Sequence, residues 1–440
     1  MSAREKAIEI FETAVSAVQP KKLIPEYLFI KEGLLHIFDE QIIVNGIKKI
    51  YIVGAGKASA AMAKAVQDIL GDLITEGLVV TKYGHSIFLE NIICLEAAHP
   101  VPDQQGVVAT VATLQLLQQV EKDDLVICLL SGGASSLWID VPEGLSLSDL
   151  QVTFQLLLDS GATIEEVNTI RKHLSVVKGG QILRFAPEGS WFSFIISDVP
   201  GDDLAVIASG PTVADSTSFE DALRVLTRYN LINRLPHPVH TRIMDGCKGI
   251  LQDTFKENDP VFKKVINKII GNNTIALAAA ELRARKLGYH IARMDNGLIG
   301  DADDVGRSLI QFCKNYQGVK PACLLLGGET TVKVKGNGIG GRNQQMALSA
   351  LLELTIVSDN NFSNSITFLS AGTDGTDGPT DAAGAIADMQ IISAAKELQL
   401  DAKSYLLNND AYPFFEQTGG LFKTGATFTN VMDLVVILIE

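Results

Sequence analysis

Apolar and polar positions alternate along this 440-residue chain in two distinct rhythms. Ile8, Phe11, Val15 and Val18 recur at helical spacing with charges between them, which predicts an amphipathic surface helix at the start. Beyond it come short apolar runs at 48–53, 77–82, 125–130 and 192–196, each the length of a buried strand. Helix-like segments at 58–70, 147–158 and 164–177 separate them, so the chain reads as strand and helix in alternation, the pattern of a largely parallel sheet. Periodicity lapses from 236 to 260, where Pro236, Pro238, Gly246, Gly249 and Pro260 accumulate, and a domain junction is expected there. A helix at 273–287 and buried-strand runs at 322–326, 366–370 and 434–439 open a second series. The expected fold is α/β, with two α/β domains at 1–245 and 265–440.

Five of the apolar runs end in a glycine-rich or acidic turn, near residues 54, 131, 198, 327 and 372. In open α/β sheets the ligand crevice lies beyond the carboxyl ends of the strands, so these turns predict a site assembled from loops.

Composition narrows the chemistry. Lys+Arg 37 against Asp+Glu 51 gives a net charge of -14, which repels nucleic-acid backbones and anionic membrane surfaces. The five cysteines contain no C-x-x-C pair and suit a reducing cytosol without a metal cluster. No signal-peptide pattern and no run of about 20 apolar residues is present, so a soluble protein is expected.

At the first turn Gly54 and Gly56 allow a tight strand-to-helix passage, and Lys57 offers a cation to phosphate or carboxylate. An ordinary turn would use the same glycines. The pattern G-x-x-x-x-G-K-[ST] is absent, and G-x-G-x-x-G meets Ser59 at its third glycine. The next strand ends at Thr81 and Lys82, without the acid that holds a ribose hydroxyl, which argues against an NAD site. In the second turn Ser131, Gly132, Gly133, Ser135 and Ser136 combine hydroxyls with backbone donors, a set suited to an oxyanion or a phosphate. Ser131 precedes both glycines, so this is not a hydrolase nucleophile elbow.

Helical spacing in 168–178 puts Asn168, Arg171, Ser175 and Lys178 on one face, with Gly179 and Gly180 ending the helix. Such a stripe is ordinarily solvated, yet no acid interrupts it in a chain that is acidic overall. Asp198, directly after an apolar run, can exchange a proton or bind a cation, or can simply serve the turn. Gly327, Gly328 and Glu329, then Gly336, Gly338, Gly340 and Gly341, lead to Arg342, a planar charge for a phosphoryl or carboxylate group. Asp374 and Asp377 follow another buried run among small residues, and can hold magnesium together with nucleotide phosphates.

Together these segments resemble the glycerate 2-kinases, the class II glycerate kinases whose C-terminal half is the MOFRL domain. The resemblance spans nearly the whole chain. It is carried by VGAGKA at 53–58, HPVPD at 99–103, SGGASSL at 131–137, NTIRKHLSVVKGG at 168–180, SDVPGDDLAVIASGPT at 197–212, GGETTVKVKGNGIGGRNQ at 327–344, SAGTDGTDGPTDAAG at 370–384 and LNNDAYPFF at 407–415. It implies a Rossmann-like N-terminal domain, a smaller MOFRL-type C-terminal domain and an active site in the cleft between them. The implied reaction is ATP-dependent phosphorylation of D-glycerate at its 2-hydroxyl, with Mg2+. Lys57 and Arg342 match the family's catalytic positions, whereas Asp198 is assigned by chemistry as the group that orients the hydroxyl.

Gly54, Gly56, Ser131, Gly132, Gly133, Ser135, Asn168, Arg171, Lys178, Gly327, Gly328, Glu329, Gly340 and Gly341 are the expected substrate and nucleotide ligands. Asp374 and Asp377 are the expected metal ligands. Some family members have been labelled hydroxypyruvate reductases, which makes a dehydrogenase the alternative enzyme. A non-catalytic sugar-phosphate-binding module is the alternative outside enzymes. A cytoplasmic location and a small-molecule partner are expected, with neither nucleic acid nor membrane, and a homo-oligomer stays open.

Overall fold

The computed structural model describes residues 1–356 and 365–440. They form two compact units, Leu23–Ile270 and the combination of Met1–Lys22 with Gly271–Glu440.

The first unit opens with a small antiparallel sheet of β1 (Leu28–Lys31), β2 (Leu34–Ile37) and β3 (Glu40–Ile43). Its main sheet comprises β4 (Ile50–Ala55), β5 (Glu76–Lys82), β6 (Ile92–Ala97), β7 (Leu125–Leu130), β8 (Ser190–Ile196) and β9 (Val265–Gly271), in the order β6-β5-β4-β7-β8-β9. The pairs from β6 through β8 are parallel, as the strand and helix alternation predicts. Every residue of β4 and β7 is buried, which explains their unbroken apolar runs: helices cover both faces of such a sheet. Strand order reverses between β4 and β7, so the crevice beyond Ala55 and Leu130 is the topological switch point. Two of the glycine turns read from the sequence begin there.

Two boundaries differ from expectation. The helix Ile164–His173 stops four residues early because the Ser175 hydroxyl accepts from the amides of Val177 and Lys178, organising a turn instead. The segment taken as a junction contains a helix, His237–Cys247. Pro236 and Pro238 sit at the helix start, where a missing N–H costs nothing.

The second unit has β10 (His290–Leu298), β11 (Ala322–Gly328), β12 (Ile366–Gly372), β13 (Gly384–Ala387), β14 (Leu421–Phe422) and β15 (Asp433–Ile439), in the order β10-β11-β15-β12-β13-β14. Here the expectation of a largely parallel sheet is corrected. β10 and β11 are parallel, and the other four pairs are antiparallel. The cause is connectivity: β12 reaches β13 through a loop without a crossover helix, and β15 inserts between β11 and β12 from the opposite direction.

The N-terminal helix Ala3–Ala17 belongs to this unit and not to a domain 1–245. It packs on the helix Asn273–Lys286 and on β15, burying Ala7, Ile10, Phe11 and Ala14, with Phe11 set edge-on to Phe422 at 5.2 Å. Among the described residues no helix is long and apolar enough to cross a membrane.

Candidate active site

At the switch point of the first unit, the loop after β4 is fastened to the loop after β7. Lys57 N–H donates to Gly132 O at 2.9 Å, and Ala58 N–H donates to Ser131 Oγ at 3.0 Å. Gly56 has φ +134°, and a Cβ there would collide with Ser131, so no other residue fits without moving the loop. Gly54 likewise lies against the backbone and side chain of Leu129. Both glycines and the fully buried Ser131 therefore have structural work that accounts for them.

What this fastening presents is the half-buried Lys57. Its Cγ lies 3.4 Å from the position a Cβ would take on Gly133, and the His99 ring edge closes on the same point at 2.8 Å. His99 went unselected by the sequence reading although it begins the HPVPD segment.

Gly133, Ser135 and Ser136 line a cavity of about 210 Å³ with His99, Pro100, Pro102, Ile139, Phe154 and Arg171. Neither Lys57 nor Asp198 lines it. The helix Ile164–His173 delivers Arg171 to this cavity, with its guanidinium 5.4 Å from the centre of the Phe154 ring. Burial pulls the Arg171 pKa below its ordinary value.

Asn168, one turn earlier, is buried, and Ser209 Oγ donates to its Oδ1 at 3.1 Å. Ser209 Oγ also contacts Ser135 Oγ at 2.9 Å. Ser209 holds φ +59° to do so, a left-handed conformation that serine rarely adopts. Apart from the half-buried Arg171, the polar stripe is thus interior. Its last member, Lys178, lies away from the cavity. It is buried, donates to Trp138 O at 2.8 Å, and burial lowers its pKa to about 8. Asp198 sits partly buried just past the end of β8.

The second unit gathers charge at one end of its sheet. Because β15 runs antiparallel, its first residue Asp433 lies in register with Gly328 at the end of β11 and with Gly372 at the end of β12. Arg342, first residue of the helix Arg342–Ile356, pairs with Asp433 through Nε at 2.5 Å and Nη2 at 3.0 Å, and with Glu329 through Nη1 at 2.5 Å. Burial opposes the Arg342 charge, but the Asp433 and Glu329 carboxylates outweigh it and shift its pKa upward.

Asp377 is buried and caps the same helix, accepting from Asn343 N–H at 3.1 Å and Gln344 N–H at 2.8 Å. Burial raises its carboxyl to about 7, with the Asp433 charge adding to the shift. Asp374 Oδ1 accepts from the backbone and hydroxyl of Thr376, both at 3.0 Å. It lies 3.3 Å from the point where Gly372 would carry a Cβ, and Asp433 Oδ1 lies 3.5 Å from that point.

Gly327 and Gly341 make room for Asn273 and Asp377, and Gly340 approaches Ala411. The glycines around this loop are therefore in close contact with their surroundings. Among the described residues no three His, Cys, Asp or Glu side chains converge as a complete metal cage. Asp433 escaped the sequence reading because only the antiparallel insertion of β15 brings it here.

Residues 6–244 match the family described as a domain of unknown function, DUF4147, and residues 322–433 match the MOFRL family. The chain is 37% identical to the glycerate 2-kinase of Pyrococcus horikoshii, covering 100% of this chain and 98% of that protein. It is 40% identical to the D-glycerate 2-kinase of Thermotoga maritima, covering 100% and 99%. A relative from Agrobacterium vitis, 36% identical over 100% of this chain and 95% of its own length, is named a putative hydroxypyruvate reductase. A crystal structure of glycerate kinase from Thermotoga maritima superposes with a TM-score of 0.84 at 39% identity, covering 99% of each chain.

Proposed function

The chain belongs to the glycerate kinase family with a MOFRL domain, and from that premise we propose that it transfers the γ-phosphoryl group of ATP to the 2-hydroxyl of D-glycerate, giving 2-phosphoglycerate and ADP. The observation that carries this reading is full-length similarity to a D-glycerate 2-kinase at 40% identity.

Phosphoryl transfer depends on positioning and on neutralising charge. Lys57, held by its own backbone on the β7 loop, meets the negative charge of the transferring group. Arg342 arrives pre-oriented by Asp433 and Glu329, with N–H groups to spare beyond the three those carboxylates engage. Asp198 accepts the proton of the attacking hydroxyl.

The donor set of the second unit suits a hard cation shared with phosphate oxygens, for which one or two carboxylates are enough. Asp374 and Glu329 would hold it. Asp377, with each carboxylate oxygen accepting a helix amide, serves that helix first. Magnesium, when bound, offsets the charge of the nucleotide phosphates.

The reductase reading is disfavoured by Ser59. It replaces the third glycine of the dinucleotide pattern, and its buried hydroxyl shares its hydrogen between Gly56 O at 2.8 Å and Val80 O at 2.7 Å. Incubating the purified protein with ATP, magnesium and D-glycerate tests the proposal. Phosphorus coupling to C2 and direct conversion of the product by enolase are expected. Coupling at C3, or NADH oxidation with hydroxypyruvate in the absence of ATP turnover, would contradict it.

A further inference from the structure

We propose that the cavity between Ser135, Ser136 and Arg171 is the hydroxy-acid subsite, and that it does not hold nucleotide phosphates, the alternative use of the serine turn. The inference rests on the glycerate kinase reading and adds to it which groups recognise which part of the acceptor.

The argument follows the hydrogens. Asn168 Oδ1 can only accept, so the hydrogen on Ser209 Oγ is committed to it. The contact between Ser209 Oγ and Ser135 Oγ at 2.9 Å therefore takes its hydrogen from Ser135. Ser136 Oγ donates to Gly133 O at 3.0 Å, which commits that hydrogen as well. Both hydroxyls consequently face the cavity as acceptors. A carboxylate or a fully ionised nucleotide phosphate has no hydrogen to give them, whereas the hydroxyl of a hydroxy acid does.

Arg171 supplies the opposite chemistry. It carries a fixed positive charge with N–H donors and no acceptor, and among the described residues its recorded contact is the Phe154 ring, with no hydrogen bond or ion pair. A half-buried guanidinium in that state binds a carboxylate well, because the anion restores what burial removed. Size agrees. At about 210 Å³ the cavity is smaller than the roughly 300 to 1,000 Å³ of sites for larger ligands, and suits a three-carbon acid. The carboxylate lies on Arg171 and the 3-hydroxyl donates to Ser135 or Ser136, which leaves the hydrogen of the 2-hydroxyl to Asp198.

Arg171→Met and Ser135→Ala, made in the full chain, test this. The KM for D-glycerate should rise about 30-fold or more in Arg171→Met, since a charge-assisted hydrogen bond is lost, while the KM for ATP changes by less than about twofold. Titration calorimetry should show that D-glycerate binding is weakened and ADP binding kept, the latter also proving that the variant is folded; Arg171→Gln serves if Arg171→Met does not fold. In Ser135→Ala the preference for D-glycerate over propionate, which lacks hydroxyls, should shrink. Loss of ADP binding with intact glycerate binding, or unchanged affinity for both in a folded variant, would overturn the subsite. A wild-type chain that binds D-glycerate through Arg171 yet fails to phosphorylate it would refute the kinase proposal and leave the subsite standing.

Discussion

Arg342 grips Asp433 in a two-pronged pair, Nε to Oδ2 at 2.5 Å and Nη2 to Oδ1 at 3.0 Å, and this pair ties the start of a helix to the start of the central strand β15. Asp433 is 2% exposed, and that arginine is its charged partner. Reading Arg342 as a loop cation implies that its removal leaves folding untouched, and the pair argues otherwise. Arg342→Met should cost about 2 to 4 kcal/mol, because it strands a buried carboxylate. Urea unfolding checks this, and an unchanged midpoint would refute it. Arg342→Lys keeps the charge but loses the fork, and should still lower kcat/KM by about tenfold or more.

Lys57 calls for a kinetic test. Its backbone N–H fastens the two loops through the bond to Gly132 O, which a side-chain substitution keeps. Lys57→Met should therefore lower kcat/KM with D-glycerate by about 100-fold if the ammonium neutralises transferring charge. Near-normal kinetics would remove Lys57 from the mechanism.

Asp374 and Asp377 should separate in their effects. Asp374→Asn is expected to raise the magnesium concentration giving half-maximal rate, since losing a carboxylate weakens a hard-cation site. Asp377→Asn should instead alter stability and its pH dependence. Burial raises the Asp377 carboxyl from 3.8 to about 7. A pKa higher in the folded chain means that its contribution is fully present below about pH 4 and is lost as pH rises through about 7. The wild-type chain should thus lose stability over that window relative to Asp377→Asn. Urea midpoints of both proteins at pH 4.5 and 7.5 decide the matter, and parallel pH profiles would refute it.

The β4 and β7 runs, their glycine turns and the adjacent helices were legible because a parallel strand buried on both faces is apolar throughout, and because a turn at a strand end needs small residues. The polar stripe from Asn168 to Lys178 was legible as a pattern but not as an interior. Its burial depends on Trp138, Asp140 and Ser209, which are distant in sequence. Asp433 could not be found from local pattern. It precedes an apolar run as any turn residue does, and only the order β11-β15-β12 sets it between Gly328 and Gly372. The allegiance of the N-terminal helix was hidden for the same reason: amphipathicity shows that a helix docks, without showing on what.

Ser209 separates strain from chemistry. At φ +59° it occupies a conformation that costs a non-glycine residue about 1 to 2 kcal/mol, while its hydroxyl links Ser135 to Asn168. Ser209→Gly relieves the backbone and deletes the link, which is itself worth about 1 kcal/mol, so thermal stability should change little. The cavity, however, should change character. With Ser209 gone, the hydrogen on Ser135 is released, and Ser135 becomes able to donate. The variant should bind D-glycerate more weakly and sulfate, which has no hydrogen to donate, more strongly than the wild-type chain, with ADP affinity unaltered. Isothermal titration with each of the three ligands measures this. Unchanged preference between glycerate and sulfate would show that the Asn168, Ser209 and Ser135 chain does not set the polarity of the site.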